Sequence, residues 1–305
     1  MSVALINKKI LITGATGQVA LPVVAALAKC NEVLAMARFS NPGDEDKVLQ
    51  LGAKSLKADL ATDDLIQIVP QDIDYVLNFA VVKTGDFDYD LAANGEGVGR
   101  LLVACQSVKA FIHFSSAAVY QYAGAEPRKE NSPLGDNHRH MFPTYSISKI
   151  AAETVARFTA KQFNIPLTIA RLSVPYGDNG GWPFWHLLMM KEGIPIDVHP
   201  DAPNTYNLLH SDDYIDKIPK LLEVATPATI TLNFGGSDGC SIEQWCEYIT
   251  ELTGFEPIYN QTDTAFGSLQ IDTTAMHEAI GETRVDWKEG VLGMIKNLAP
   301  ELLKP

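Results

Sequence analysis

The sequence has few cysteines, and their spacing matches neither a CxxC redox motif nor a zinc site. The four cysteines among the 305 residues form neither a CxxC motif nor the paired spacings of zinc sites. So low a number fits a reducing compartment better than a disulfide-stabilised secreted protein. We therefore expect buried free thiols, no bound metal and a cytoplasmic location.

Long apolar runs and an excess of positive charge are missing as well. No segment approaches the roughly 20 apolar residues of a membrane-spanning helix, and the opening MSVALINKKILITG lacks the apolar core of a signal peptide. The chain has 24 lysines and arginines against 37 acidic residues, which gives a net charge of −13. Because such a charge repels a phosphate backbone, we expect no nucleic-acid partner. The lack of a long apolar segment predicts that the chain does not span a membrane, and we expect a small-molecule substrate from the motifs described below.

What the sequence does contain is a regular alternation of β-rich and helical segments. Short apolar runs such as KKILIT, NEVLAMA and DYVLNFA are separated by turn residues and by stretches of helical length. Strands that alternate with helices predict parallel βαβ units. We therefore predict an α/β fold with a doubly wound parallel sheet, to which TITLNFGG returns late in the chain as one more strand.

The alternation of strand and helix segments becomes irregular after residue 177, which suggests a second structural unit. We predict a larger domain formed by residues 1–177 plus about 210–235, and a smaller C-terminal substrate-binding lobe formed by residues 178–209 plus 236–305. The lobe contains an amphipathic segment, SIEQWCEYITELTG. Ser241 is placed to cap this helix and Gly254 to end it.

The segment TGATGQVA, residues 13–20, lies between the first strand and the first helix. Glycines allow a tight turn and a close backbone approach, and the start of a helix offers free N–H groups to a pyrophosphate. The position of the glycines after a strand and before a helix makes this motif specific. We therefore predict a Rossmann domain that binds the phosphates of a dinucleotide through Gly14, Thr16, Gly17, Gln18 and Val19.

The end of the second strand predicts which dinucleotide is preferred. An NAD site usually carries an acid there, whereas this sequence has Arg38, which can pair with a 2′-phosphate. We therefore expect NADP in preference to NAD, with the alternative that Arg38 stacks on adenine or faces solvent. Asp59 and Leu60 follow the third strand and are candidates for the adenine site, although Asp59 is also a common turn residue. Phe79 and Ala80 end the fourth strand and are candidates to line the cofactor site.

A tyrosine and a lysine lie one helical turn apart in YSISK, residues 145–149. An ammonium near a phenol favours the phenolate and makes tyrosine a usable general acid or base. Tyr145 and Lys149 alone are weak as a motif, since helices contain this spacing by chance. Ser116, at the end of the fifth strand, strengthens the interpretation, because ligands of open α/β sheets bind at that edge.

Taken in order, these segments resemble the extended short-chain dehydrogenases/reductases, a family that includes nucleotide-sugar epimerases and dehydratases. The resemblance covers nearly the whole chain: TGATGQVA, DL at 59–60, NFA at 78–80, NGEG at 94–97, FSSAAVY at 114–120, YSISK and LHSDD at 209–213. It implies that Tyr145 is the acid/base and that Lys149 tunes it and binds the nicotinamide ribose. It also implies that Ser116, or less readily Ser115, polarises the substrate oxygen.

Two positions depart from the family's pattern. The asparagine and the arginine that commonly hold a nucleotide diphosphate correspond to Val174 and Tyr206 here. A diphosphate without a cation is poorly neutralised in a closed site. Apolar residues replace them, and the candidate substrate-binding residues are Ser116, Tyr122, Tyr145, Trp182, Trp185 and Tyr206. The aromatic residues are as readily explained as core or as an interface between subunits.

We therefore expect an oxidoreductase that interconverts a carbonyl and an alcohol on a small, partly apolar, non-nucleotide substrate. The alternative is a nucleotide-sugar epimerase or dehydratase with tightly bound NAD. A third hypothesis is a non-catalytic protein that senses a dinucleotide, because fold alone does not define function. The resemblance also implies a homodimer in which NGEGVGRLLVACQSV and YSISKIAAETVARF form a four-helix bundle.

Overall fold

A seven-stranded parallel sheet forms the centre of the computed structural model, which describes residues 5–304. The strand order is β11-β6-β5-β4-β1-β2-β3, so the chain winds outward from β1 in both directions. The strands are β1 (Lys9–Thr13), β2 (Glu32–Ala37), β3 (Lys54–Lys57), β4 (Tyr75–Asn78), β5 (Ala110–Ser116), β6 (Leu167–Leu172) and β11 (Ile230–Phe234).

Helices follow most of these strands. They are α1 (Ala20–Leu27), α2 (Asp44–Gln50), α3 (Leu65–Ile68), α4 (Phe87–Asp90), α5 (Gly97–Ala104), α6 (Tyr145–Phe163) and α8 (Ser211–Glu223). A π-helical turn, Leu91–Glu96, joins α4 to α5, and a short 3₁₀ turn, Ala117–Val119, follows β5. The predicted doubly wound α/β fold is confirmed, including the late strand β11, which pairs with β6.

Both faces of the sheet are buried because apolar residues occupy successive positions of its strands. Along β1, Ile10 and Ile12 join a core shared with α1 and α8, whereas Leu11 faces the opposite core against α5 and α6. Side chains alternate between the faces of a strand, so an uninterrupted apolar run supplies both layers at once. The carboxyl ends of the strands therefore meet at one edge, where the loops form a crevice.

The remaining elements lie between β6 and β11 along the chain or after β11. The helices among them are α7 (Trp182–Glu192), α9 (Ile242–Thr253), α10 (Thr274–Ile280) and α11 (Trp287–Leu298), with a 3₁₀ turn at Pro300–Leu302. Three short strand pairs accompany them: β7 (Val174–Tyr176) with β10 (Leu208–His210), β8 (Ile196–Val198) with β13 (Tyr259–Gln261), and β9 (Thr205–Tyr206) with β12 (Cys240–Ser241). A separate apolar core around the fully buried Trp245 connects most of them.

The predicted ends of helix α9 agree with the structure, because both ends are defined by local capping residues. The Ser241 hydroxyl accepts from the Gln244 amide, which completes a capping box at the start of α9, and Gly254 ends the helix with a φ of 85°. Helix α7 was not predicted, because its glycine- and aromatic-rich beginning has no helical periodicity. In addition, α10 packs through Met276 and Ile280 on the core of the large sheet.

The predicted division into domains stays a prediction, and its bounds at residues 1 and 305 lie outside the described residues. Within residues 5–304, no helix is both long and apolar enough to cross a membrane.

Candidate active site

The glycine loop joins β1 to α1 and lines one end of a cavity of about 460 Å³, which we call the main cavity. Gly14 adopts a φ of 63°, and a Cβ atom there would lie 2.8 Å from the Cα atom of Ala80. The Gly17 amide donates to the Gly14 carbonyl at 2.9 Å, which closes the turn. Glycine at position 14 therefore lets the loop approach the backbone at the end of β4, and the start of α1 offers free amides of the kind that bind a diphosphate.

The structure places four of the five predicted phosphate-loop residues on this cavity. Gly14, Gly17, Gln18 and Val19 line it, whereas Thr16 does not. Ala80 contributes through its backbone, which packs against Gly14.

A smaller cavity of about 50 Å³ lies beside the glycine loop and is lined by Arg38, Asp59 and Leu60, the predicted adenosine residues. The Arg38 guanidinium donates to the Tyr89 hydroxyl at 2.7 Å, and that hydroxyl donates to the Asp59 carboxylate at 2.9 Å. Sequence reasoning missed Tyr89, which lies in α4 and is separated from both partners along the chain. Arg38 is thus at the edge of this smaller cavity, in contact with the protein and exposed to solvent.

Tyr145 and Ser116 line the main cavity together. Tyr145 is the first residue of α6, and Ser116 is the last residue of β5. Burial raises the pKa of the Tyr145 phenol, and a hydrogen bond with Ser116 opposes that rise. The phenol therefore carries its proton at neutral pH and can donate it to a substrate oxygen.

Lys149 lies one turn beyond Tyr145 and is buried. Its ammonium donates to the Phe114 carbonyl at 2.9 Å. Burial lowers the pKa of Lys149 to about 8, and the Glu153 carboxylate opposes this effect. The expected tuning of Tyr145 by Lys149 therefore does not come from a direct bond between them in this arrangement.

The neighbouring Ser115 also lines the main cavity, but its hydroxyl is bonded to a buried carboxylate. The Ser115 hydroxyl donates to Glu153 at 2.6 Å, and Arg171 pairs with both oxygens of the same carboxylate at 2.9 and 2.8 Å. This buried network ties β5, α6 and β6 together behind the cavity. Sequence reasoning missed it, although an acid one turn after Lys149, on an otherwise apolar helix face, is the one available indication.

The far wall of the cavity is aromatic. Trp182 stacks on Phe266, with ring centroids 5.7 Å apart and an angle of 3°, and meets Tyr206 edge-on at 5.2 Å. His138 stacks on the other side of this group, 4.0 Å from the Phe266 centroid. Neither Phe266 nor His138 belongs to a recognisable motif, and neither was among the predicted site residues.

Tyr206 lies where the family's pattern commonly has an arginine. It is 2% exposed, and its hydroxyl donates to the carbonyls of Phe266 and Gly267 at 3.0 and 2.8 Å. The tyrosine therefore binds the protein's own backbone. Val174 also lines the cavity.

The structure separates one predicted substrate residue from the others. Trp182, Trp185 and Tyr206 line the main cavity. Tyr122 instead lines a neighbouring polar pocket of about 290 Å³, where its hydroxyl donates to Asp201 at 2.8 Å. The chain turns between Val119 and Tyr122, which directs this ring away from the reaction centre.

The comparisons with known proteins agree with this geometry. The family model "NAD dependent epimerase/dehydratase family" matches residues 10–235. No curated protein matches the chain in sequence.

Several solved structures have the same fold. The Bacillus cereus UDP-glucuronic acid 4-epimerase, in complex with UDP-glucuronic acid and NAD, superimposes with a TM-score of 0.80 at 23% identity, over 96% of this chain and 99% of that one. The Thermotoga maritima UDP-glucose 4-epimerase, with UDP-glucose, gives 0.81 at 21% identity over 96% and 99%. The Streptomyces venezuelae dTDP-glucose 4,6-dehydratase DesIV, with NAD and TYD bound, gives 0.80 at 17% over 94% and 96%. At these identities the likeness is one of fold.

Proposed function

This chain belongs to the NAD dependent epimerase/dehydratase family, and from that premise we propose that it catalyses hydride transfer at a carbon bearing a hydroxyl or keto oxygen. The observation that supports this most directly is that Tyr145 and Ser116 line the same cavity as the glycine loop. A nicotinamide cofactor supplies the hydride chemistry itself.

Side chains of this protein donate and accept the proton that accompanies hydride transfer. In the reducing direction the Ser116 hydroxyl donates a hydrogen bond to the substrate oxygen, and Tyr145 gives that oxygen its phenolic proton. In the oxidising direction Tyr145 takes the proton back. Lys149 follows Tyr145 by one helical turn, and its positive charge stabilises the phenolate that forms when Tyr145 gives up its proton.

The test of this mechanism is the substitution Tyr145→Phe, which removes only the hydroxyl. We expect turnover to fall by about 10²–10⁴-fold, the usual contribution of a general acid or base. Cofactor affinity, measured by titration calorimetry, serves as the control and should stay unchanged. Undiminished turnover would contradict the mechanism, and the absence of turnover in the unsubstituted protein with every substrate class would favour a dinucleotide sensor.

For the substrate, the cavity supports a small, partly apolar, non-nucleotide carbonyl or alcohol. Tyr206 is bonded to backbone where an arginine would hold a diphosphate, and no arginine lines the cavity among the described residues. A doubly charged diphosphate therefore has no guanidinium partner there. The aromatic wall of Trp182 and Phe266 suits an apolar group instead.

A nucleotide-sugar epimerase or dehydratase is the second candidate, and the comparisons favour it over the first. The family model is one of epimerases and dehydratases, and the solved structures described above are epimerases and a dehydratase of nucleotide sugars. The two candidates differ in their use of cofactor, because an epimerase regenerates it within each turnover. UDP-glucose, UDP-glucuronic acid and dTDP-glucose should be tested beside a panel of carbonyls, with products read by NMR and cofactor by absorbance. Net cofactor consumption supports the small substrate, whereas sugar conversion without it supports the second candidate.

For the cofactor, we propose NADP in preference to NAD, from the position of Arg38 at the edge of the smaller cavity beside the glycine loop and the absence of an acid at the end of β2. The solved epimerase and dehydratase complexes contain NAD, so this preference is a property we propose for this chain.

For assembly, we propose a homodimer formed through α5 and α6. An apolar groove of about 430 Å³ lies between α3, α5 and α6, and Phe158 beside it is 71% exposed. Sedimentation should give a dimer that Phe158→Asp dissociates and that Phe87→Asp, at another exposed phenylalanine, leaves intact. A monomeric unsubstituted protein would contradict the proposal.

A further inference from the structure

The ammonium of Lys149 is a charged group enclosed by the protein. Lys149 is 3% exposed, and its ammonium donates to the Phe114 carbonyl at 2.9 Å. A carbonyl is a neutral acceptor, so this hydrogen bond brings no negative charge to the ammonium. Because burial disfavours the charged form of an amine, Lys149 needs an acid nearby if it is to stay charged at neutral pH.

The fully buried Glu153 is placed to supply that negative charge. It follows Lys149 by one turn of α6, so the two side chains lie on the same face of the helix. Neighbouring positions of β5 hold the two groups, since Lys149 bonds to the Phe114 carbonyl and Glu153 accepts from the Ser115 hydroxyl. Water screens the attraction between buried charges less than it does at the surface.

The other titratable groups around Lys149 cannot replace this carboxylate. His113 on β5 is neutral at pH 7, because burial, reinforced by the charge of Lys149, lowers its pKa to about 3. Lys83, from the loop after β4, has no ion-pair partner among the described residues and lies 5.4 Å from the Tyr145 ring centroid. Burial lowers the pKa of Lys149 to about 8 and Lys83 adds to the fall, whereas Glu153 opposes it.

Other side chains fix the Glu153 carboxylate and keep it ionised. Arg171 pairs with both of its oxygens at 2.9 and 2.8 Å, and Arg157 adds a contact at 3.2 Å. Burial favours a raised pKa for this carboxyl, but the hydrogen bonds and charge of Arg171, together with the Ser115 hydroxyl, outweigh burial and hold the pKa below its usual value. Glu153 is therefore a fixed negative charge at neutral pH.

We propose that Glu153 is a positioning residue that keeps the Lys149 ammonium charged at neutral pH and so available to the Tyr145 phenolate. This rests on the proposed function, because the charge of Lys149 matters to the reaction only if Tyr145 transfers the proton. The alternative is an ion pair with Arg171 that only ties α6 to β6. The two roles differ in the titration of Lys149, which depends on the carboxylate in the first role alone.

The test measures the titration of Lys149 directly. The protein is labelled with lysine carrying ¹³C at Cε, and NMR follows the Lys149 resonance against pH without cofactor or substrate. The resonance is assigned by its absence in Lys149→Arg. In Glu153→Gln, which removes the charge and keeps the shape of the side chain, we expect the pKa of Lys149 to fall by about 1–3 units. Glu153→Asp, which keeps the charge, should restore most of the difference.

Two further variants separate charge from structure. Arg157→Met is the matched control, because it removes a guanidinium that is 40% exposed and leaves the carboxylate in place. The pKa of Lys149 should change there by less than about 0.3 units, as for other exposed pairs. If Glu153→Gln does not fold because Arg171 has lost its partner, the double variant Glu153→Gln with Arg171→Met replaces it. Removing both charges is tolerated better than removing one, and the pKa of Lys149 should still fall.

The pH dependence of turnover then shows whether this charge serves the reaction. The substrate is a carbonyl or nucleotide sugar that the panel above shows to be converted. In Glu153→Gln the fall of kcat/KM at alkaline pH should begin at a pH that is lower by the same amount as the pKa of Lys149. Glu153→Asp should return the profile toward that of the unsubstituted protein.

Two results overturn the proposal. One is a pKa of Lys149 that is unchanged without the Glu153 carboxylate, and the other is a shifted pKa with an unshifted profile of kcat/KM. Failure of the proposed function is distinguishable from both. Full turnover in Tyr145→Phe would refute the mechanism whatever the titration of Lys149, whereas an inactive Tyr145→Phe with an unchanged titration in Glu153→Gln would refute this proposal alone.

Discussion

The two halves of the main cavity are built in different ways. The cofactor half is formed by backbone at the ends of β1 and β4, where Gly14 lies against Ala80. The substrate half is formed by side chains from distant segments, among them His138, Trp182, Tyr206 and Phe266. The cofactor half requires a residue without a Cβ atom at position 14. The shape of the substrate half is instead set by the side chains that line it.

This difference explains why one half follows a motif and the other does not. Dinucleotides present the same diphosphate to every enzyme, so a short glycine loop at a strand end suffices to receive it. A substrate lobe distinguishes one small molecule from another, and its chemistry changes with single side chains on a shared fold. Family resemblance is therefore informative about Gly14 and much less so about Tyr206.

The largest expected effect comes from adding a side chain at Gly14, where the loop packs against the Ala80 backbone. Gly14→Val combines a disallowed φ of 63° with a Cβ 2.8 Å from backbone. We expect a loss of about 4 kcal/mol or more in the free energy of unfolding, together with loss of cofactor binding. Gly43→Val is the control, because Gly43 has a φ of 80° but nothing within 4 Å of its Cβ position. An equal loss of stability in both variants would show that the loss comes from backbone strain and not from the contact with Ala80.

The second prediction concerns position 206 in the substrate half, where the family's pattern commonly has an arginine. Tyr206→Arg buries a guanidinium where the nearby carboxylate, Glu243, is already hydrogen-bonded to Asn204, which should destabilise the protein by about 3 kcal/mol in denaturant unfolding. Tyr206→Phe removes only the two hydrogen bonds to backbone and should cost about 1 kcal/mol. UDP-glucose affinity should stay unchanged in both variants. A gain in that affinity on Tyr206→Arg would show that the missing arginine alone had excluded nucleotide sugars.

A third test concerns Lys149, which lies between the two halves. Because burial lowers its pKa to about 8, the ammonium is present below that pH and is lost above it. Without the positive charge the Tyr145 phenolate is less stable, so kcat/KM for reduction should fall about tenfold per pH unit above about pH 8. A profile that stays flat to about pH 10 would contradict this assignment.

The smallest effect is expected at the exposed edge of the cofactor half. Arg38→Ala should lower the ratio of NADP to NAD affinity by roughly fivefold, because exposed ion pairs are screened by solvent. Tyr89→Phe, which removes the hydroxyl that Arg38 contacts at 2.7 Å, tests whether that contact orients the guanidinium. Equal affinity for both cofactors in the unsubstituted protein would contradict the NADP preference.

The parts of the site that could be predicted are those with local determinants. Gly14, Ser116, Tyr145 and Lys149 follow directly from a strand end or a helical spacing, and the structure brings the first three to one cavity. Lys83, His138 and Phe266 could not be predicted in this way. Each lies in a loop whose neighbours are set by tertiary packing, and the Phe266 ring meets His138 from 128 residues further along the chain.

Sequence by itself determined the doubly wound sheet, the glycine loop and the candidate acid/base pair, because apolar periodicity, glycine geometry and helical spacing act over a few residues. Only the tertiary structure decided that Tyr206 bonds to backbone, that Tyr122 faces a separate pocket, and that Lys83 stands unpaired over the Tyr145 ring. These outcomes depend on which distant segments pack together. The packing follows from the burial of whole apolar cores, whose residues are far apart in the chain. It therefore cannot be predicted from any short segment of the sequence.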